Sequence, residues 1–316
     1  MKIVFCGTPQ FAVPTLEALI AAGHEIPLAV TQPDRPVGRS QQLTAPPVKF
    51  TALAAAIPVT QPEKIRENEE FRTQLEAIAP DAIVVVAYGR IIPPWMLALP
   101  RLGCINLHAS LLPKYRGAAP IQWAVAMGET ITGNTTMLLE EGLDTGPILL
   151  QQAMTILPHQ TAADLFPLLA EGGAPLAVET LVHLADGSLK PRPQNPVGAT
   201  LAPILRREDG RMDFAERTAT ELHNRWRGFQ PWPGAFTSLD GKKLIVHNMA
   251  VVEPLGIAVL AQAHPGTILI LNHRLLVACA AHTWIELVEL QLEGKKRLPA
   301  AEFLRGTGVR AGTCLG

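Results

Sequence analysis

The feature that most constrains this chain is the alternation in its first half. Short β-rich runs at residues 2–6, 26–30, 82–87 and Cys104–His108 are separated by stretches with apolar residues at helical spacing, at 11–22, 48–56 and 68–79. The run 82–87 reads AIVVVA, with no polar position on either side of the strand. A strand apolar on both faces belongs in the middle of a sheet covered by helices on both sides. Strands joined by helices of this length form a parallel, doubly wound α/β sheet. Ligands of such sheets bind beyond the carboxyl ends of the strands, where the strand order reverses. A further helical stretch, Ala162–Ala185, closes the region and stops at Asp186-Gly187.

The texture then changes. Residues 190–203 hold Pro191, Pro193, Pro196 and Pro203 without amphipathic period, the mark of a semi-rigid linker. A helical stretch at 218–227 breaks at Pro231-Trp232-Pro233-Gly234. Short alternating runs follow at Ala235–Leu239, 243–252, 266–271, Arg274–Ala278 and Trp284–Leu292, the pattern of a small antiparallel barrel. The expected division is a catalytic domain over 1–189, a linker over 190–205 and a second domain over 206–316. A fragment ending near Ser188 should then fold by itself.

Composition narrows the class. Over 316 residues, 48% hydrophobic content with 17% charged residues describes a globular chain that can bury a core. The sequence opens directly on a strand, with neither the apolar stretch of a signal peptide nor an Arg- and Ser-rich transit segment. No apolar run reaches the length of a membrane span. The chain is therefore expected to remain in the cytoplasm. Four cysteines stand singly, without disulfide or zinc spacing, so Cys6 and Cys104 are expected as core residues and no metal is expected. Residues 1–190 carry 12 Lys+Arg against 17 Asp+Glu, whereas residues 191–316 carry 15 against 11. A basic second half on an acidic first half suits a polyanionic partner.

Chemistry concentrates in Cys104-Ile105-Asn106-Leu107-His108-Ala109-Ser110-Leu111-Leu112-Pro113. Residues two apart on a strand share a face, so Asn106 and His108 point the same way at the end of a parallel strand. Together they can hydrogen-bond a developing oxyanion. An isolated N-x-H is more often a core histidine beside a structural Asn. Two further features change that balance. Gly142-Leu143-Asp144-Thr145-Gly146 holds one carboxylate in a turn that glycines allow to approach another strand. Arg116-Gly117-Ala118-Ala119-Pro120 reads as a tight loop entering a helix, open to close backbone contact with a substrate.

Taken in order, these motifs resemble the formyltetrahydrofolate-dependent formyltransferases. Four segments resemble, within that group, the methionyl-tRNA formyltransferases: Gly7-Thr8-Pro9-Gln10-Phe11-Ala12-Val13-Pro14, Thr31-Gln32-Pro33-Asp34-Arg35-Pro36, Val85-Val86-Ala87-Tyr88-Gly89-Arg90-Ile91-Ile92-Pro93 and Arg227-Gly228-Phe229-Gln230-Pro231-Trp232-Pro233-Gly234. The resemblance implies a Rossmann-like catalytic domain with an OB-like C-terminal β-barrel, acting as a monomer. It implies that Asn106, His108 and Asp144 are catalytic. It places 10-formyltetrahydrofolate against Ser110, Leu111, Leu112 and Pro113, with Tyr88, Gly89 and Ile91 in a loop that walls the pterin. It implies initiator methionyl-tRNA as the acceptor, with Arg35, Arg39 and Lys49 around a proline-rich loop that meets the acceptor end. Basic residues of the second half, among them Arg206, Arg207, Arg211, Arg225, Arg227 and Lys243, would serve the acceptor stem.

The catalytic half alone would also suit a formyltransferase acting on glycinamide ribonucleotide or an amino sugar. The loop at 32–48 and the PWPG-containing second half favour tRNA. A nicotinamide-dependent dehydrogenase on the same kind of sheet lacks support, because Gly7 stands without the rest of a G-x-G-x-x-G series. A non-catalytic RNA-binding module would leave Asn106, His108 and Asp144 unexplained.

Overall fold

The computed structural model describes residues 1–38, 41–252 and 263–316. Two compact units emerge. The first comprises Met1–Ile121, Ile131–Ile156 and Asp164–Pro203, and the second Gln122–Thr130, Leu157–Ala163 and Ile204–Gly316.

In chain order the first unit runs β1 (Lys2–Gly7), α1 (Val13–Ala21), β2 (Glu25–Val30), β3 (Arg35–Val37), β4 (Gln42–Thr44), α2 (Pro47–Ala54), β5 (Val59–Thr60), α3 (Glu69–Ile78), β6 (Ala82–Val86), α4 (Pro94–Leu97) and β7 (Cys104–His108). After α5 (Pro120–Ala126), which leads into the second unit, come β8 (Ile131–Leu138), β9 (Ile148–Thr155) and α6 (Ala162–Ala185). The sheet order is β5-β2-β1-β6-β7-β8-β9. Its first five strands are parallel, and β8 and β9 are antiparallel additions. The chain moves outward from β1 to β5 and then returns to β6 on the other side of β1. Strand order therefore reverses between β1 and β6, as a doubly wound sheet requires.

Alternation along each strand feeds two cores. Ile3, Phe5, Val84, Val86, Ile105 and Leu107 face one side, with Leu16 and Leu19 of α1 and Leu176 and Leu181 of α6. Val4, Cys6, Ile83, Val85 and Cys104 face the other, with Phe71 and Leu75 of α3 and Met96 of α4. Each fully buried side chain of this size stabilises the fold by about 1.5–3 kcal/mol. Burial pushes the Cys6 thiol up and the Cys104 thiol up to about 12, so both are core groups and not nucleophiles at neutral pH. Among the described residues α6 alone has the length and apolarity that would suit a bilayer. It turns Leu165, Leu169, Ala177 and Leu181 into the protein interior.

The second unit contains α7 (Ala219–Gly228), β10 (Ala235–Leu239), β11 (Lys242–Val252), β12 (Ile268–Leu271), β13 (Arg274–Ala278), β14 (Trp284–Leu292), β15 (Arg297–Pro299) and α8 (Ala300–Thr307). Its antiparallel sheet is ordered β10-β11-β14-β13-β12, with β15 beside β14. Leu239, Val246, Ile268, Val277 and Leu287, one set from each long strand, share one core with Leu222 of α7 and Phe303 of α8. Helix α7 starts at a capping box. Thr218 Oγ1 accepts from Glu221 N–H, and the Glu221 carboxylate accepts from Thr218 N–H at 2.8 Å.

Candidate active site

Strand β7 presents Asn106 and His108 on the same side as Cys104, at its carboxyl end. Both side chains are buried, at 9% and 6% exposure. His108 Nε2 lies 2.9 Å from the carbonyl oxygen of Tyr115. A carbonyl can only accept, so Nε2 carries a proton and donates it there. The other nitrogen, Nδ1, lies 3.7 Å from Asp144 Oδ2. Nδ1 is thus the ring atom that can gain and lose a proton, and a carboxylate stands beside it to stabilise the charged ring.

Asp144 is held in turn. Its Oδ2 accepts from the Gly117 N–H at 2.8 Å, and its backbone sits at φ 50, a left-handed conformation. Gly117 sits at φ 124, where a Cβ would come within 2.6 Å of the Ala202 carbonyl oxygen. The loop 115–119 therefore serves both side chains: Tyr115 fixes the histidine and Gly117 fixes the aspartate.

The segment after β7 is equally well anchored. Ser110, fully buried, donates to the Lys114 carbonyl at 2.6 Å. Thr135 Oγ1 of β8 donates to the Ser110 carbonyl and accepts from the Leu112 N–H and from Gln151 Nε2. Leu112 is buried, while Leu111 and Pro113 are half-buried at the edge of the site. The loop after β6 divides its residues. The Tyr88 ring lies in the core with Cys6 and Met96, so it is no pocket wall; burial pushes its phenol up. What Tyr88 turns toward the crevice is its carbonyl, which accepts from Thr8 Oγ1 and Gln32 Nε2, each at 3.1 Å. Gly89 follows at φ 80, and Ile91 is 87% exposed.

The residues around the proline-rich loop separate. Arg35 is exposed and 3.6 Å from Glu63. Lys49 is engaged within the fold: its Nζ donates to both Asp34 carboxylate oxygens at 2.9 Å and to Gln61 Oε1 at 2.7 Å. The Gln61 amide, and then the Lys49 ammonium, hold the Asp34 carboxyl below its usual range. Lys49 thus ties down the base of the loop, which a single positive charge in sequence could not reveal. Arg39 lies outside the described residues.

In the second unit, Arg227 is buried and donates to the carbonyls of Leu157 and Gln160 and to Asn224 Oδ1. Arg225 stacks over the rings of Trp123 and Phe229. These two arginines hold the unit together, which leaves Arg206, Arg207 and Arg211 exposed.

Sequence reasoning missed Tyr115, Thr135, Gln151 and Gln194. Gln194 donates to the carbonyls of Asp144 and Gly146 at 2.8 and 2.7 Å and accepts from Arg116 Nε and Nη2 at 3.1 and 2.7 Å. Its one signal is a side-chain amide, next to Asn195, inside Pro191-Arg192-Pro193-Gln194-Asn195-Pro196, where prolines set the backbone and cannot donate.

Comparison with known proteins gives the family. Residues 1–181 match the formyl transferase family and residues 204–308 the formyl transferase C-terminal domain. The methionyl-tRNA formyltransferase of Acidobacterium capsulatum is 65% identical over 316 residues, covering 100% of both chains. That of Koribacter versatilis is 58% identical, covering 97% of this chain and 96% of its own. Among solved structures, an N-formyltransferase from Helicobacter canadensis in complex with folinic acid and dTDP-3-aminofucose shares the fold, with TM-score 0.64 at 18% identity, covering 91% of this chain and 98% of its own. HypX from Aquifex aeolicus in complex with tetrahydrofolic acid gives TM-score 0.59 at 18% identity, covering 96% of this chain and 47% of its own. Matched from end to end, this chain belongs to the formyltransferase family and, within it, to the methionyl-tRNA formyltransferases.

Proposed function

We propose that this chain transfers the formyl group of 10-formyltetrahydrofolate to the α-amino group of methionyl initiator tRNA, for translation initiation. One observation carries the chemical part: a histidine whose Nε2 is committed to Tyr115 and whose Nδ1 faces Asp144, on the same strand face as Asn106. The site fits a folate. The loop at 88–93 offers exposed Ile91 beside irregular backbone, and Arg90 Nε is a buried donor without a partner among the described residues. A flat heteroaromatic ring with one polar edge needs such a surface. Ser110, Leu111, Leu112 and Pro113 would border it from the β7 side, with Gly89 and Ile91 opposite.

When bound, the folate supplies a formyl carbon open to attack by an amine. Asn106 donates an amide N–H where negative charge grows on the formyl oxygen. With Nε2 committed to Tyr115, Nδ1 is the ring atom placed to take the proton that the amine must lose and to pass one to the departing nitrogen. Asp144 stabilises the charged ring while that happens. Arg35 and Arg39 contact the acceptor end, and the exposed basic residues of the second unit hold the acceptor stem. Lys49 has no part in that contact. The enzyme works in the cytoplasm as a monomer.

The test offers labelled 10-formyltetrahydrofolate with charged initiator tRNA and, in parallel, with glycinamide ribonucleotide. Label in methionyl-tRNA is the expected outcome; label in the ribonucleotide alone would overturn it.

A further inference from the structure

We infer that Gln194 is a positioning residue for catalysis, acting on His108 through Asp144; this rests on the function proposed above. The proline-rich stretch at 190–203 is laced to the site at three places. Arg192 and Ile148 exchange both backbone hydrogen bonds at 2.8 Å. Thr200 accepts from the backbone of Tyr115 and Arg116, and Ala202 both donates to Arg116 and accepts from Ala119. Gln194 lies between the first and second of these and is the side chain of the stretch that grips the turn carrying Asp144.

All four polar contacts of Gln194 serve that grip. Its amide nitrogen donates to the carbonyls on either side of Thr145, those of Asp144 and Gly146. Its oxygen accepts twice from the Arg116 guanidinium. Arg116 immediately precedes Gly117, whose N–H holds the Asp144 carboxylate. The aspartate is thus fixed at two points, its carboxylate by Gly117 and its carbonyl by Gln194, and Arg116 links the two. Both restraints favour the left-handed φ of 50, which an aspartate tolerates better than most non-glycine residues but still at some cost. The separation this sets is 3.7 Å from Oδ2 to Nδ1 of His108. Releasing the carbonyl side would let the turn relax and the carboxylate withdraw. Misplacement of a catalytic group by about 1 Å can cost about a hundredfold in rate.

The informative variant is Gln194→Glu, which keeps the length and the Arg116 partner but replaces both donors by an acceptor facing two carbonyls. The expected result is a fall in kcat of about tenfold or more, with KM for folate and tRNA changed by less than about twofold. In an Asp144→Asn background the same change should cost little, because residues acting as one unit are not additive. The His108 ring-nitrogen NMR signals of Gln194→Glu should move as they do in Asp144→Asn. Unchanged kcat, or an undiminished loss in the Asp144→Asn background, would overturn the inference. If Gln194→Glu does not fold, Gln194→Met repeats the test without a misplaced charge, and failure of both to fold would overturn a local role. An intact chain that formylates no tRNA would fail the proposed function instead, and the His108 signals would then decide the positioning role alone.

Discussion

Asp144→Asn tests the site most cleanly, because it removes charge and little else. The carboxamide keeps an oxygen for the Gly117 N–H, now 2.8 Å from Oδ2. Exchanging a charged for a neutral acceptor should cost about 1 kcal/mol of stability. The effect on turnover is set by the 3.7 Å between Oδ2 and His108 Nδ1. Two unit charges about 4 Å apart near a protein surface attract by about 4 kcal/mol. The Asp144 side chain is 14% exposed, and solvent screening takes that attraction to about 2–3 kcal/mol. If the imidazolium forms during transfer, turnover should fall by about 30- to 150-fold. Single-turnover formylation with both substrates saturating measures the loss, and thermal melting of the same preparation measures the stability. Turnover within about threefold of the unmodified enzyme would show that Asp144 only braces the loop and that charge on His108 plays no part.

Three further outcomes are expected. Asn106→Ala and His108→Ala should each lower kcat by about a hundredfold or more while tRNA binding, measured by filter retention, stays the same; unchanged turnover would remove that residue from the mechanism. Arg39→Ala should weaken use of tRNA and leave the KM for folate alone, whereas Lys49→Ala should show first as a lower melting temperature, since its partners are Asp34 and Gln61; a KM change confined to folate in Arg39→Ala would assign the loop to the other substrate. Gly117→Ala should destabilise the fold by about 2 kcal/mol or more in urea titration, because its φ of 124 suits glycine and a Cβ would meet the Ala202 carbonyl; an unchanged midpoint would refute the strain argument.

The parts of the fold legible in sequence are those where burial and periodicity coincide. AIVVVA at 82–87 has to be central, and β6 pairs β1 on one side and β7 on the other. Strand β8 was invisible for the opposite reason. Its sequence, ITGNTTML, looks like a polar surface, yet Thr132, Asn134, Thr135 and Thr136 are all buried. They are tolerated there because most of their polar atoms find partners inside: Asn134 Nδ2 on the Leu169 carbonyl, Thr136 on Thr180, and Thr135 across to Ser110 and Leu112. A hydrophobic pattern cannot report a strand stabilised in this way. The candidate site was legible for a similar reason in part. Asn106 and His108 are two apart on one strand, so local geometry alone joins them. Tyr115, by contrast, reaches His108 through a backbone carbonyl, and no residue type is demanded at such a position.

The prolines at 190–203 illustrate how composition can suggest the wrong neighbour. Four prolines remove donors and disfavour helix, and that pattern fits a tether between two bodies. It fits equally a strand-like stretch lying along another surface, provided that the intervening residues make the hydrogen bonds. Here Arg192, Gln194, Thr200 and Ala202 do so, and residues up to Pro203 group with the first unit. A cut near Ser188 would spare Asn106, His108 and Asp144 but strip the Thr200 and Ala202 partners from the loop 115–119 and the Gln194 donors from the Asp144 turn. Since Tyr115 and Gly117 are the residues that orient His108 and Asp144, such a fragment would keep all three side chains and lose the framework that aims them. The boundary that respects the chemistry follows Ala202, fourteen residues later, at the point where the last hydrogen bond to Ala119 has been made.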